Sequence, residues 1–123
     1  GRFNHCFVVM NKFPYNGGHI LILPLEHVAS LQDLSEQARN EFIQLTSEGD
    51  RIIRETLKNE GSNIGFNTGK AAGAGIPSHL HMHVIPRWAG DTNFLPIIAD
   101  VKQVSSDTRE IFKELKPHFD KMK

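Results

Sequence analysis

A single cysteine, Cys6, stands in the 123-residue chain, so no disulfide can form within it, and its lone thiol suits a reducing compartment. Charge of one sign is also missing. Fourteen Lys and Arg balance fourteen Asp and Glu, which leaves no global field to draw the chain to nucleic acid or to an anionic membrane. An anion must therefore be recognised locally. Long apolar runs are absent as well: Ile20–Leu23 has the length of a strand, far below the roughly 20 residues of a membrane span. No signal-peptide pattern is read at the start, and a cytoplasmic location is expected. With no repeat, low-complexity tract or linker, residues 1–123 are expected to form one domain around one core.

What the chain does have is histidine, seven in all, and three of them fall in the run Ile76-Pro-Ser-His-Leu-His-Met-His-Val-Ile-Pro-Arg-Trp88. Alternation of His79, His81 and His83 with Leu80, Met82 and Val84 predicts a strand of period two. The three imidazoles then stand in one row, roughly 6–7 Å apart, while the aliphatic side chains turn into a core. Burying three titratable rings side by side is costly unless something uses them. A solvated strand face and a metal site are the alternatives to anion chemistry here.

The other elements follow in order. Cys6 to Asn11 reads as a strand with His19 to Leu23 as its hairpin partner, and Pro14, Asn16, Gly17 and Gly18 supply the turn. Val28, Leu31 and Leu34 predict a short helical turn. Ser35 is the expected N-cap of a long helix to about Asn59, with Gly61 just past its end. Its apolar stripe is Ala38, Phe42, Leu45, Ile52, Ile53 and Thr56, weakened at Gly49. A strand is expected over Asn63 to Phe66, and Pro86 and Gly90 should end the histidine strand. The tail from Ile97 to Val104 shows no pattern. Asp107-x-x-Glu110 opens a second helix carrying Ile111, Phe112 and Leu115, which Pro117 should end or kink. The sum is an α+β fold, an antiparallel sheet with one long helix and a C-terminal helix.

Between the last two strands lies a loop with Gly69, Gly73 and Gly75, residues that allow positive φ and close approach of backbone N–H groups to an anion. A Walker reading fails. Gly65-Phe-Asn-Thr-Gly69-Lys70-Ala71 has one residue too few between its glycines, and alanine stands where magnesium would need Ser or Thr. Taken alone the segment could be a flexible loop; directly before a histidine row it reads as a phosphate cradle. An imidazole there can attack phosphorus and form a phosphoramidate, splitting one displacement into two. Its neighbours can donate to the phosphate oxygens as charge redistributes.

His79-Leu80-His81-Met82-His83-Val84-Ile85 resembles the signature of the histidine triad superfamily. Asn11-Lys-Phe-Pro-Tyr-Asn-Gly-Gly-His-Ile-Leu-Ile-Leu-Pro24 is similar to its first hairpin, and Asn67-Thr-Gly69 with Ala72-Gly-Ala-Gly-Ile-Pro77 to its phosphate loop. Pro86-Arg-Trp-Ala-Gly-Asp-Thr-Asn-Phe94 resembles the branch of dinucleoside polyphosphate (diadenosine tetraphosphate) phosphorylases and hydrolases. The resemblance spans roughly residues 5 to 95. It implies that His81 is the nucleophile and that His79 and His83 position phosphate oxygens and the leaving group. It further implies Asn11 at the ribose and Val9 and Leu21 near the base, although both could equally be plain core. Asn67 falls at a phosphate-side position, Gly73, Ala74, Gly75 and Ser78 in the cradle, and His19 in a supporting role. Lys70 and Arg87 either soften phosphate charge or are simply solvated, while His5 and His118 look like ordinary surface or boundary residues.

The resemblance also implies a homodimer with one continuous sheet and a further N-terminal segment upstream. In some relatives a Cys-x-x-Cys pair joins a histidine like His27 and the first triad histidine in a zinc site; that pair is absent from the sequence, so neither a metal nor a cofactor is expected. The expected activity is nucleotidyl transfer from a purine nucleotide substrate through a nucleotidyl-His81 intermediate to water or phosphate. The alternative is a purine-nucleotide-binding module with weak phosphoramidase-type activity. Trp88, at the exit of the histidine strand, is either a core plug or a stacking surface, and its place before the polar turn favours substrate contact, reached across the dimer interface.

Overall fold

The computed structural model describes residues 1–76, 78–91 and 107–122. The patternless tail Ile97–Val104, the end of the Pro86–Phe94 segment and Pro77 lie outside the described residues. Four strands, β1 (Cys6–Met10), β2 (Ile20–Pro24), β3 (Gly61–Gly65) and β4 (Met82–Arg87), form one antiparallel sheet in the order β1-β2-β4-β3. Helix α1 (Glu36–Leu57) packs across one face, and helix α2 (Thr108–Asp120) packs against α1. No helix among the described residues is long and apolar enough to cross a membrane.

Paired residues of neighbouring strands point to the same face. Val8 pairs with Ile22 and Ile22 with Met82, and all three are buried with Ile20 and Val84 against Phe42, Leu45, Ile52 and Ile53 of α1. Ser35 caps α1 as expected, its Oγ accepting Ala38 N–H at 3.3 Å while its hydroxyl donates to Glu26 at 2.7 Å. The helix stops at Lys58, which takes the left-handed conformation with φ 55°. Gly61, expected just past the helix end, instead opens β3. Gly49 does more than weaken the helix: a Cβ there would stand 2.9 Å from Ile20 Cδ1, so its bareness lets β2 approach α1.

Three further boundaries differ from expectation, each for a local reason. The histidine strand starts at Met82 rather than His79. Its pairing with β2 stops at Ile22↔Met82, because continuing it would bring Leu80 opposite Pro24, which has no N–H to offer. Leu80 N–H turns instead to the Val28 carbonyl at 2.7 Å. Pro86 does not end the strand. It lies beyond the last β2 partner, Val84, and its carbonyl accepts Asn16 Nδ2 at 3.1 Å. Pro117 likewise sits inside α2, which Asp107 caps through Arg109 N–H at 2.8 Å. The helix runs one turn further because Phe119 buries against the core.

Candidate functional site

The site grows from one cross-strand row. Val9 pairs with Leu21, Leu21 with His83 and His83 with Gly65, so these four share the sheet face opposite α1. His83 is the triad member that belongs to a regular strand. His81 and His79 precede β4, held by their own bonds rather than by the ladder. The rings of His81 and His83 meet edge-on with centroids 5.0 Å apart, closer than an ideal strand would put them. His79 diverges from this pair: its ring lies beside His27, with centroids 4.8 Å apart.

Hydrogen-bond partners assign the protons of the neutral His81 and His79 rings. His81 Nδ1 lies 2.9 Å from the His79 carbonyl; a carbonyl only accepts, so Nδ1 carries the proton and the lone pair is on Nε2. His79 Nε2 faces the Pro24 carbonyl at 3.1 Å, which puts its proton on Nε2 and leaves Nδ1 to accept from His27 Nδ1–H at 2.7 Å. His83 Nδ1 faces His19 Nε2 at 2.9 Å, and Tyr15 stacks on the far side of His19 with centroids 5.4 Å apart. Burial, and secondarily the neighbouring His81, push the His83 pKa below its ordinary 6.5. The Cys6 thiol is pushed up to about 12 by burial and then by Glu41, which disqualifies it as a nucleophile at neutral pH.

Tyr15, Asn63, Gly65, Asn67, His83 and Ile85 line a cleft of about 260 Å³, near the lower end of small-molecule sites, roughly 300–1,000 Å³. Asn67 is thus brought to the histidines, and its Nδ2 reaches back to the Gly73 carbonyl at 3.4 Å. In the loop, Gly69 and Gly73 take positive φ of 79° and 82°, whereas Gly75 does not. The N–H groups of Ala72, Gly73 and Ala74 close a 3-10 turn on Gly69 and Lys70, so they are committed within the loop; Gly75 and Ser78 are exposed. Asn11 is committed to the hairpin, with Nδ2 3.2 Å from His19 Nδ1. Arg87 is not available to a phosphate: its guanidinium is bound by Asp91 and by Asn63 Oδ1 at 2.7 Å.

Trp88 is not brought to the triad. It lies five residues past His83 along β4, about 17 Å on at strand rise, and lines a separate cleft of about 420 Å³ with Glu60, Asn63, Arg87 and Asp91. The sequence reading set His27 aside and gave Tyr15 no role of its own. The signal for Tyr15 was an aromatic residue among Pro, Asn and Gly; for His27 there was only family likeness. His27 and His79 offer two nitrogens side by side, but among the described residues no group of three His, Cys, Asp or Glu side chains could hold a metal ion.

An antiparallel sheet backed by one long helix, with the imidazoles of His19, His81 and His83 gathered beside a central strand, defines a small α+β domain. The chain belongs to the HIT domain family, which it matches over residues 1–90. It is 39% identical over 108 residues to the AP-4-A phosphorylase of Mycobacterium tuberculosis, covering 85% of this chain and 55% of that protein. It thus spans little more than half the length of that relative. It is 32% identical over 82 residues to the asymmetrical bis(5'-nucleosyl)-tetraphosphatase of Schizosaccharomyces pombe, covering 67% of this chain and 44% of that enzyme. Among solved structures, a Zn-bound histidine triad family protein from Mycobacterium smegmatis superposes with a TM-score of 0.78 at 25% identity, over 99% of this chain and 83% of that one.

Proposed function

We propose that this protein is a nucleotidyl-transfer enzyme that cleaves dinucleoside polyphosphates or related nucleoside phosphate derivatives through a nucleotidyl-His81 intermediate. The observation that carries the reading is the His81 ring, whose Nδ1–H is held by the His79 carbonyl at 2.9 Å so that Nε2 presents its lone pair. Nε2 attacks the α-phosphorus, an N–P bond forms, and the P–O bond to the outgoing polyphosphate breaks. Water or phosphate then attacks the same phosphorus, and His81 leaves with its original proton count. His83, whose ring borders the cleft, donates to the phosphate oxygens, while His79 acts through its carbonyl by orienting the His81 ring. Val9 and Leu21, on the row that ends at His83, flank the base. Asn67, Gly75 and Ser78 edge the phosphates, and Trp88, in its separate cleft, meets the second nucleoside of a dinucleoside substrate across the dimer interface.

The names of the mycobacterial and fission-yeast relatives support the substrate class, and their two activities differ in the acceptor of the second step. The working form is a cytoplasmic homodimer with joined sheets. Product analysis with diadenosine tetraphosphate, with and without inorganic phosphate, tests the reading. Loss of ATP in the first step leaves AMP on His81, which water releases as AMP and phosphate as ADP. No turnover of dinucleoside polyphosphates or nucleoside phosphoramidates, with purine nucleotide binding intact, would leave a binding module instead.

A further inference from the structure

Asn11 follows β1, and its side-chain amide is committed at both ends. Oδ1 accepts Phe13 N–H at 3.1 Å, which fixes the other end as the NH₂ group, and that group lies 3.2 Å from His19 Nδ1. Tyr15 N–H donates to the same ring nitrogen at 3.2 Å. A nitrogen that receives two donors carries no proton. His19, fully buried, therefore holds its proton on Nε2, 2.9 Å from His83 Nδ1. That atom must accept, so the proton of neutral His83 is on its Nε2.

We propose that Asn11 is a positioning residue that, through His19, holds His83 in the tautomer able to donate from Nε2 to the substrate phosphate. The opposite tautomer would turn a lone pair toward the phosphate oxygens and repel them. The consequence for turnover rests on the nucleotidyl-transfer reading; the proton assignment does not. It also gives Asn11 a task different from the ribose contact that family resemblance implies.

Long-range proton–nitrogen spectra of the ¹⁵N-labelled, ligand-free protein above neutral pH read the tautomer directly, with the His83 signals assigned by their loss in His83→Asn. The expected result is an unprotonated Nδ1 and a protonated Nε2 on both His83 and His19. A proton on His83 Nδ1 would overturn the proposal, whether or not any Asn11 variant folds. Asn11→Asp replaces the donor by an acceptor and should force a proton onto His19 Nδ1, whereas Asn11→Ala leaves the Tyr15 donor in place. Turnover of diadenosine tetraphosphate should fall in kcat by about tenfold for Asp and about threefold for Ala, the scale of one hydrogen bond, with KM little changed. Equal rises in KM at unchanged kcat would place Asn11 on the nucleotide and overturn the positioning role. Because the spectra need no substrate, absence of turnover in the wild type would defeat the enzymatic reading and leave the tautomer to be decided by the spectra.

Discussion

Replacing Asp91 by Asn should destabilise the protein by about 2 kcal/mol at neutral pH, and the loss should vanish in acid. Asp91 is the hub of a latch at the end of β4. Its carboxylate binds the Arg87 guanidinium through both oxygens, accepts Asn16 Nδ2 at 2.8 Å and accepts Trp88 N–H at 3.1 Å. Both side chains of the ion pair are mostly shielded, 17% and 18% exposed. The Arg87 bond foremost, with Trp88 N–H and Asn16 assisting, holds the carboxyl at about 2 against an ordinary 3.8. One pH unit is worth roughly 1.4 kcal/mol, so the full displacement is worth about 2.5 kcal/mol, which solvent screening at this partly exposed pair trims to about 2 kcal/mol. Because the folded value is the lower one, this stability is fully present above pH 3.8 and is lost as the pH falls toward 2. Urea unfolding of wild type and Asp91→Asn at a series of pH values checks it. The gap between the two curves should be about 2 kcal/mol near neutrality, roughly 8 °C in Tm for a domain of this size, and should close through the acid range. A gap that stays constant with pH, or a variant as stable as wild type at neutrality, would refute the latch.

The other predictions concern the site and its supports. His81→Asn should abolish turnover while nucleotide affinity stays within about tenfold, roughly 1.4 kcal/mol, and changes at His79 or His83 should slow the rate less completely; a rapidly turning over His81 variant in a quench-flow assay would end the covalent mechanism. Gly18→Ala combines a φ of 87° with a Cβ driven into Leu57, and should cost about 2–4 kcal/mol in denaturant titration. Gly90→Ala has a φ of 84° but open space around it and should cost only about 1–2 kcal/mol; equal losses would show that the Leu57 approach is immaterial. Trp88→Ala should raise KM for dinucleoside polyphosphates more than for mononucleotide substrates with little change in Tm, and a large drop in Tm would return the indole to a packing role.

Local rules carried the parts of the fold that local contacts decide. The alternation around His83 put Met82 and Val84 in the core and the imidazole on the other face, because strand geometry leaves no third option. Ser35 and Asp107 were readable as caps, since each needs only an N–H two or three residues away. The misses were decided at a distance. The β4 start depends on Val28 capturing Leu80 N–H, and the end of α1 fell to Lys58, a residue type with no standing as a left-handed cap. The proton wiring was illegible for the same reason: His27 meets His79 across 52 positions, and His19 meets His83 across 64.

The acceptor that fixes the His81 proton is the main-chain carbonyl of residue 79, and a carbonyl survives any side-chain substitution. The His83 proton is fixed by a separate limb of side chains, Asn11 and His19, each replaceable by mutation. The proposed reaction centre is therefore held in two ways, one written into the backbone and one into exchangeable residues. Change at the second can drift, weaken or be retuned over generations without removing the acceptor that orients His81, the proposed nucleophile, so the acid–base behaviour around His83 is free to diversify while the His81 ring keeps its orientation.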